Sequence, residues 1–354
     1  MQRKYFITLF IFFTCKLVLL AQTFPGNEWE YNQQAAAEGW NIEKSMDLHR
    51  FLTDSTKITS LLVVHKGKII FQYGDVEQTN YIASCRKSIL SMLYGKYVLS
   101  GQIDLGMSIK DLKIDDINPL LPIEKEATIE DLISARSGIY LPASNAGTWV
   151  KYLKKRGTIK PGTRWLYNNW DFNTAGFIFE NQTGKNIYDA VQEQLVLPLN
   201  MQDWNRSRHQ KVGDTTKSKY LAYPMWFSTR DLARVGLLML NKGKWRDKQV
   251  IPKIWVDEMV KTRTTAKEMQ ESVPVMKESN YDYGYGYMWW LWENPSDTRL
   301  NNAYSALGAY GQNITVVPEK DLVIVFNTKA QYNRSNSSEI TQELPSRIVN
   351  IFKD

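Results

Sequence analysis

The chain has 354 residues, 43% of them hydrophobic and 23% charged, a composition that supplies a large core and excludes a chain too polar to fold. The formal net charge is +7, but Lys and Arg are scattered, and the densest group, Lys151, Lys154, Lys155 and Arg156, reads as a solvated face, so no nucleic-acid footprint is expected. The three histidines, His49, His65 and His209, read as surface or turn residues; none lies in H-x-x-H or near a cysteine, and neither a metal nor an organic cofactor is expected.

In chain order, the first feature is Arg3 and Lys4 ahead of the apolar stretch Phe6–Ala21, which reads as a signal peptide over residues 1–21 with cleavage before Gln22. Its removal leaves one domain, 22–354, with no stable membrane span and a periplasmic or extracellular bacterial location. Cys15 leaves with it, so Cys85 remains as the single cysteine and no internal disulfide can form.

Strands are expected first, with Leu61–Val64 and Ile69–Tyr73 as a hairpin around His65-Lys66-Gly67-Lys68. Ile89, Leu90, Met92, Leu93, Tyr97 and Val98 then sit at helical spacing up to Gly101, so Ser84 stands at the N-terminal end of a buried helix. A mostly helical region is expected over about 101–279, including Thr128–Ala135, Asn186–Val196, Ser228–Asn241 and Pro252–Val260. Strand character returns at Ile314–Val317 and Leu322–Asn327, and a last amphipathic helix covers Ser338–Phe352. The fold class that follows is α/β (α+β), an antiparallel sheet built from both termini and flanked by helices, with a mostly helical insertion.

Ser84-Cys85-Arg86-Lys87 is the sole S-x-x-K of the sequence. On a helix this spacing places hydroxyl and ammonium on one face. A serine needs a neighbour that takes its proton, and a lysine desolvated at a buried helix start can become that neighbour. The bland alternative is that Ser84 caps the helix. Tyr167-Asn168-Asn169 is the sole Y-x-N; a phenol beside Lys87 can share proton transfer, and the Asn169 amide can hold a substrate carbonyl. Ala306-Leu307-Gly308-Ala309-Tyr310-Gly311-Gln312 precedes a strand, and its small residues allow close approach to a bound acyl group, where a backbone N–H can complete an oxyanion hole with that of Ser84.

The ordered set S-C-R-K, Y-N-N and A-L-G-A-Y-G-Q resembles the three active-site motifs of the serine β-lactamase and penicillin-binding-protein superfamily, and within it the branch of class C β-lactamases, esterases and 6-aminohexanoate-dimer hydrolases. Ala127–Leu132 with Ser137-Gly138, Phe227–Ala233 and Tyr283–Tyr287 resemble supporting stretches of the family. The resemblance implies a β-lactamase/transpeptidase-like fold in which Ser84 is the acylated nucleophile, Lys87 and Tyr167 handle protons, and the N–H groups of Ser84 and Ala309 form the oxyanion hole. Asn169 and Gly308 are the substrate-binding positions. The chain departs from the pattern at Ala306, where the β-lactamases and D,D-peptidases carry Lys or His; Arg86 is a candidate replacement cation. Without that cation, neutral amides or esters are the expected partners, small-molecule or peptide-like.

Acyl transfer, a D,D-peptidase or β-lactamase activity, and a non-catalytic envelope protein binding peptidoglycan or a partner are the alternatives. Among the twelve tryptophans, Trp165, Trp170, Trp289, Trp290 and Trp292 are candidates for a substrate groove, with one or two expected to face substrate and the rest in the core. Cys85 is expected to be buried packing.

Overall fold

The structure, a computed structural model, describes residues 23–145, 147, 149–278, 282–293, 297–329 and 336–353. The leader reading therefore lies outside the described residues. Among the described residues no helix is long and apolar enough to cross a membrane.

A helix, α1 (Ile42–Ser55), precedes the first strand, contrary to the expectation that strands come first. It buries only Ser45, Leu48 and Leu52, too sparse a pattern to stand out in the sequence. The expected hairpin follows as β1 (Ser60–His65) and β2 (Lys68–Gly74). Its two-residue turn has Lys66 at φ 50° and Gly67 at φ 77°, both left-handed as a turn matched to the strand twist requires. Helix α2 (Cys85–Leu99) comes next, then α3 (Asn169–Thr183) and α4 (Thr229–Leu240).

Five strands complete the main sheet: β3 (Asp282–Tyr285), β4 (Trp290–Glu293), β5 (Tyr304–Gly308), β6 (Gln312–Val317) and β7 (Leu322–Asn327). A terminal helix, α5 (Ser338–Val349), ends the fold. The strands lie in the order β2-β1-β7-β6-β5-β4-β3, with every pairing antiparallel. The N-terminal hairpin is thus joined to the C-terminal strands, as expected; β3, β4 and β5 extend the sheet beyond the strands read from sequence.

All residues of β1, β6 and β7 are buried, the pattern of strands covered on both faces. Register aligns Leu62, Val325, Ile314 and Ala306 in one row across four strands. Helix α4 packs on β1, β6 and β7. Its Gly236 permits the approach, since a Cβ there would stand 2.3 Å from Val323 Cγ1.

Two surface readings are corrected. Arg156 is not a solvated cation; its guanidinium grips the fully buried Glu124 side chain and the Pro119 carbonyl, because an enclosed carboxylate needs a partner. His65 and His209 are buried rather than exposed. The His209 ring stacks on Trp204 at 3.8 Å, bonds the Asn205 carbonyl through Nδ1 and accepts the Trp226 N–H at Nε2.

Candidate active site

Ser84 begins α2 in helical geometry, φ −77° and ψ −11°, and its side chain makes no capping bond. The preceding Ala83 has φ 47°, a left-handed turn that costs an alanine roughly 1–2 kcal/mol. That turn presents Ser84 Oγ to Lys87 one helical turn along. Lys87 Nζ donates to Ser84 Oγ at 3.0 Å, Tyr167 OH at 2.6 Å and Asn169 Oδ1 at 2.7 Å, and its side chain is 2% exposed.

The second motif is held by its own neighbours. Asn168 caps α3 by accepting the Trp170 N–H, while its amide donates to the carbonyls of Ile139 and Leu141. Trp170 Nε1 donates to Asp116, and Ser137 Oγ donates to Asp171. These bonds fix the entry to α3, so Tyr167 and Asn169 flank Lys87 from either side of the cap. A Cβ built on Gly147 would lie 3.4 Å from Asn169 Nδ2, so Gly147 passes close to this amide.

The third motif is brought to the same place by β5. Gly308 is its last residue, and a Cβ there would stand 2.6 Å from the Ile82 carbonyl and 3.3 Å from Ala83 Cβ. The segment leading into Ser84 thus rests against a glycine that no larger residue replaces without displacement. Cys85 Sγ donates to the Ala306 carbonyl at 3.3 Å, tying α2 to β5. Ala309, Tyr310 and Gly311 form the turn into β6, with Ala309 exposed and Tyr310 and Gly311 left-handed. All six sequence-derived site residues, Ser84, Lys87, Tyr167, Asn169, Gly308 and Ala309, therefore fall at one junction of α2, α3 and β5.

A family model described as Beta-lactamase matches residues 50–344. The chain belongs to the β-lactamase family. A putative 6-aminohexanoate-dimer hydrolase from Bacillus anthracis is 21% identical, with 86% of this chain and 81% of that one covered at a TM-score of 0.62. A putative β-lactamase from Bacteroides dorei is 17% identical, with 88% and 99% covered at a TM-score of 0.63. A mutant simvastatin synthase from Aspergillus terreus is 14% identical, with 90% and 96% covered at a TM-score of 0.65. At these identities the three structures establish a shared fold.

Electrostatics sharpens this β-lactamase-family site. Burial, reinforced by the neighbouring Arg86 charge, holds Lys87 well below the ordinary lysine value. Burial also pushes the Tyr167 phenol above its usual range, against the opposing pull of Ser84 and Arg86. The amine is thus biased towards its neutral form and the phenol keeps its proton. Asn169 Oδ1 can only accept, so a neutral Lys87 donates there and can turn its lone pair to the Ser84 or Tyr167 hydroxyl.

One expectation for this β-lactamase-family member changes. Arg86 does not replace the missing third-motif cation at the surface of the site. It is 2% exposed, lies 4.1 Å over the Tyr223 ring and donates to Asn173 Oδ1 at 3.2 Å. Ala306 is wholly buried in the apolar row of the sheet. Of the five tryptophans considered, Trp165, Trp170, Trp289 and Trp292 are core, and Trp290 is half-buried with its ring 5.7 Å from that of Tyr167. Asn173 and Tyr223 were not singled out from sequence; the available signal was the four-residue step from Asn169 to Asn173 on one helix face.

Proposed function

We propose that the protein is an exported serine hydrolase that forms an acyl-enzyme on Ser84 and cleaves a neutral amide or ester. The observation that carries this reading is the three-way contact of the buried Lys87 amine with Ser84, Tyr167 and Asn169. Lys87 accepts the Ser84 proton as Oγ bonds the substrate carbonyl carbon. The carbonyl oxygen becomes an oxyanion held by the N–H groups of Ser84 and Ala309. The proton then passes from Lys87, through the Tyr167 hydroxyl, to the leaving nitrogen or oxygen as its bond to the acyl carbon breaks. Water attacks the acyl-enzyme by the reverse proton path and returns Ser84 to its hydroxyl form.

A neutral acyl group is favoured because Ala306 supplies no charge and Arg86 is enclosed by Tyr223 and Asn173. Trp290 beside Tyr167 offers an apolar wall for it. The test is incubation of wild type and Ser84→Ala with a fluorophosphonate probe and a labelled penicillin, followed by intact mass. Wild-type labelling that disappears in the variant supports the reading; a folded protein labelled by neither reagent overturns it in favour of a binding role. Product analysis with an added alcohol or amine separates hydrolysis from acyl transfer. Export is tested by the mass of the protein recovered from its native cell envelope, where a mature chain starting at Gln22 is expected.

A further inference from the structure

Two basic residues, Arg86 and Lys87, are adjacent in sequence and both are 2% exposed. Their side chains leave α2 in different directions yet reach the same face of α3, one helical turn apart. Lys87 Nζ bonds Asn169 Oδ1 at 2.7 Å and Arg86 Nη2 bonds Asn173 Oδ1 at 3.2 Å. The two acceptors are amides, which anchor a cation without neutralising it. Among the described residues the partners of the two side chains are amides and hydroxyls, and Arg86 Nη1 finds no hydrogen-bond partner.

Burying a guanidinium without a counter-ion is costly, and a stability argument alone would favour a neutral side chain here. The remaining groups around the pair do not supply the missing charge. On α2 the neighbour is the Cys85 thiol, pushed up by burial. Ahead of α3 it is the Tyr167 phenol, and from the segment before α4 it is Tyr223, whose phenol is pushed up to about 12 by burial. From Ile187–Val191 it is Tyr188, also pushed up by burial. Asp171, the carboxyl nearest in sequence on α3, accepts from Ser137 and is held well above the carboxylate range, first by burial. A guanidinium stays charged at every working pH, so Arg86 is, among the described residues, the one fixed charge in this enclosure.

We propose that Arg86 is a positioning residue for the reaction, its permanent charge holding the neighbouring Lys87 as the neutral amine that accepts the Ser84 proton. The Asn169 and Asn173 pair on α3 sets the spacing of the amine and the guanidinium, and Tyr223 lies against the face of the guanidinium. This role rests on the serine-hydrolase reading of Ser84 and Lys87. It also accounts for a buried charge that packing does not require.

The test is the pH profile of Ser84 labelling by a fluorophosphonate, in which Oγ bonds phosphorus, fluoride leaves and the serine proton passes to Lys87. Wild type, Arg86→Gln, Arg86→Lys and Asn173→Asp are compared across the acid, neutral and alkaline range, with circular dichroism confirming the fold of each. Removing the charge in Arg86→Gln, or neutralising it with the carboxylate of Asn173→Asp, is expected to move the midpoint of the profile upward by about one to two pH units. Arg86→Lys, whose buried amine can lose its proton as Lys87 does, is expected to move the midpoint upward as Arg86→Gln does. A lower rate in Arg86→Gln and Asn173→Asp with an unmoved midpoint overturns the proposal and assigns Arg86 to packing, leaving Ser84 as nucleophile intact. Wild type without labelling at any pH removes the serine-hydrolase reading itself, and this role with it. Asn173→Asp keeps the question open to refutation if Arg86→Gln does not fold.

Discussion

Lys87 Nζ lies 2.6 Å from the Tyr167 hydroxyl and 4.1 Å from the centre of the same ring, so one phenol is at once the amine's hydrogen-bond partner and part of its apolar wall. Tyr167→Phe separates these roles, because it keeps the ring and removes the oxygen. The Ser84 and Asn169 contacts of Lys87 remain available. Turnover of an alkyl ester or amide, whose leaving group needs the proton that Tyr167 is proposed to relay, is expected to slow by about 10²–10⁴-fold, while the folded state loses only about 1–3 kcal/mol. Product release and a denaturant titration measure the two. Turnover at the wild-type rate would remove Tyr167 from the proton path.

Gly308→Ala tests the contact between the third motif and the segment leading into Ser84, the proposed nucleophile. The new Cβ would meet the Ile82 carbonyl at 2.6 Å, and that carbonyl is backbone, which yields only if β5 or the turn at Ala83 shifts. A cost of about 1–3 kcal/mol in stability is expected, with a fall in labelling rate larger than that of a remote core variant of equal stability. A rate unchanged from wild type would show that the oxyanion donors do not depend on this approach.

His209 should make stability depend on pH. Burial lowers its folded-state pKa below the ordinary 6.5, so on acidification the unfolded chain takes up the proton first. The stability His209 contributes is present above about pH 6.5 and is lost as pH falls through its lower folded value. The structural reason is that Nε2 accepts the Trp226 N–H and can no longer do so once protonated. Denaturant titrations from neutral to acid pH should show wild type losing stability faster than His209→Gln, and parallel curves would refute the assignment.

Cys85 is fully buried, bonds the Ala306 carbonyl, and burial raises its thiol above the usual range. Alkylation of the native protein by iodoacetamide is therefore expected to follow unfolding rather than thiol chemistry. Its rate should rise with added denaturant in step with loss of structure. Rapid alkylation in buffer would show that the junction of α2 and β5 opens in the native state.

The parts of the fold that were legible in sequence are those whose local pattern agrees with their tertiary setting. β1, β6 and β7 are runs of β-branched and aliphatic residues because both their faces are covered. β3 and β5 escaped because Asp-Tyr-Gly-Tyr and Tyr-Ser-Ala-Leu-Gly carry glycine and small residues that serve close packing rather than strand propensity. The same holds in the site. Ser84 and Lys87 are joined by helical spacing within one segment, and Tyr167 with Asn169 flanks a cap, so short motifs expose them. Arg86 with Asn173 and Tyr223 is a meeting of three distant segments, and no spacing rule encodes such a contact.

The pairing of β1 with β7, Leu62 opposite Val325, sets the order in which the chain can become native. A nascent chain has β1 and β2 first, yet one edge of that hairpin waits for β7, which is made only after β3 to β6. Closing the sheet is therefore a late, long-range event, the slow kind of topology. Until then the apolar β1 edge stays open and invites association with other chains. Ser84 accordingly meets the third motif on a completed sheet only after β7 has been made.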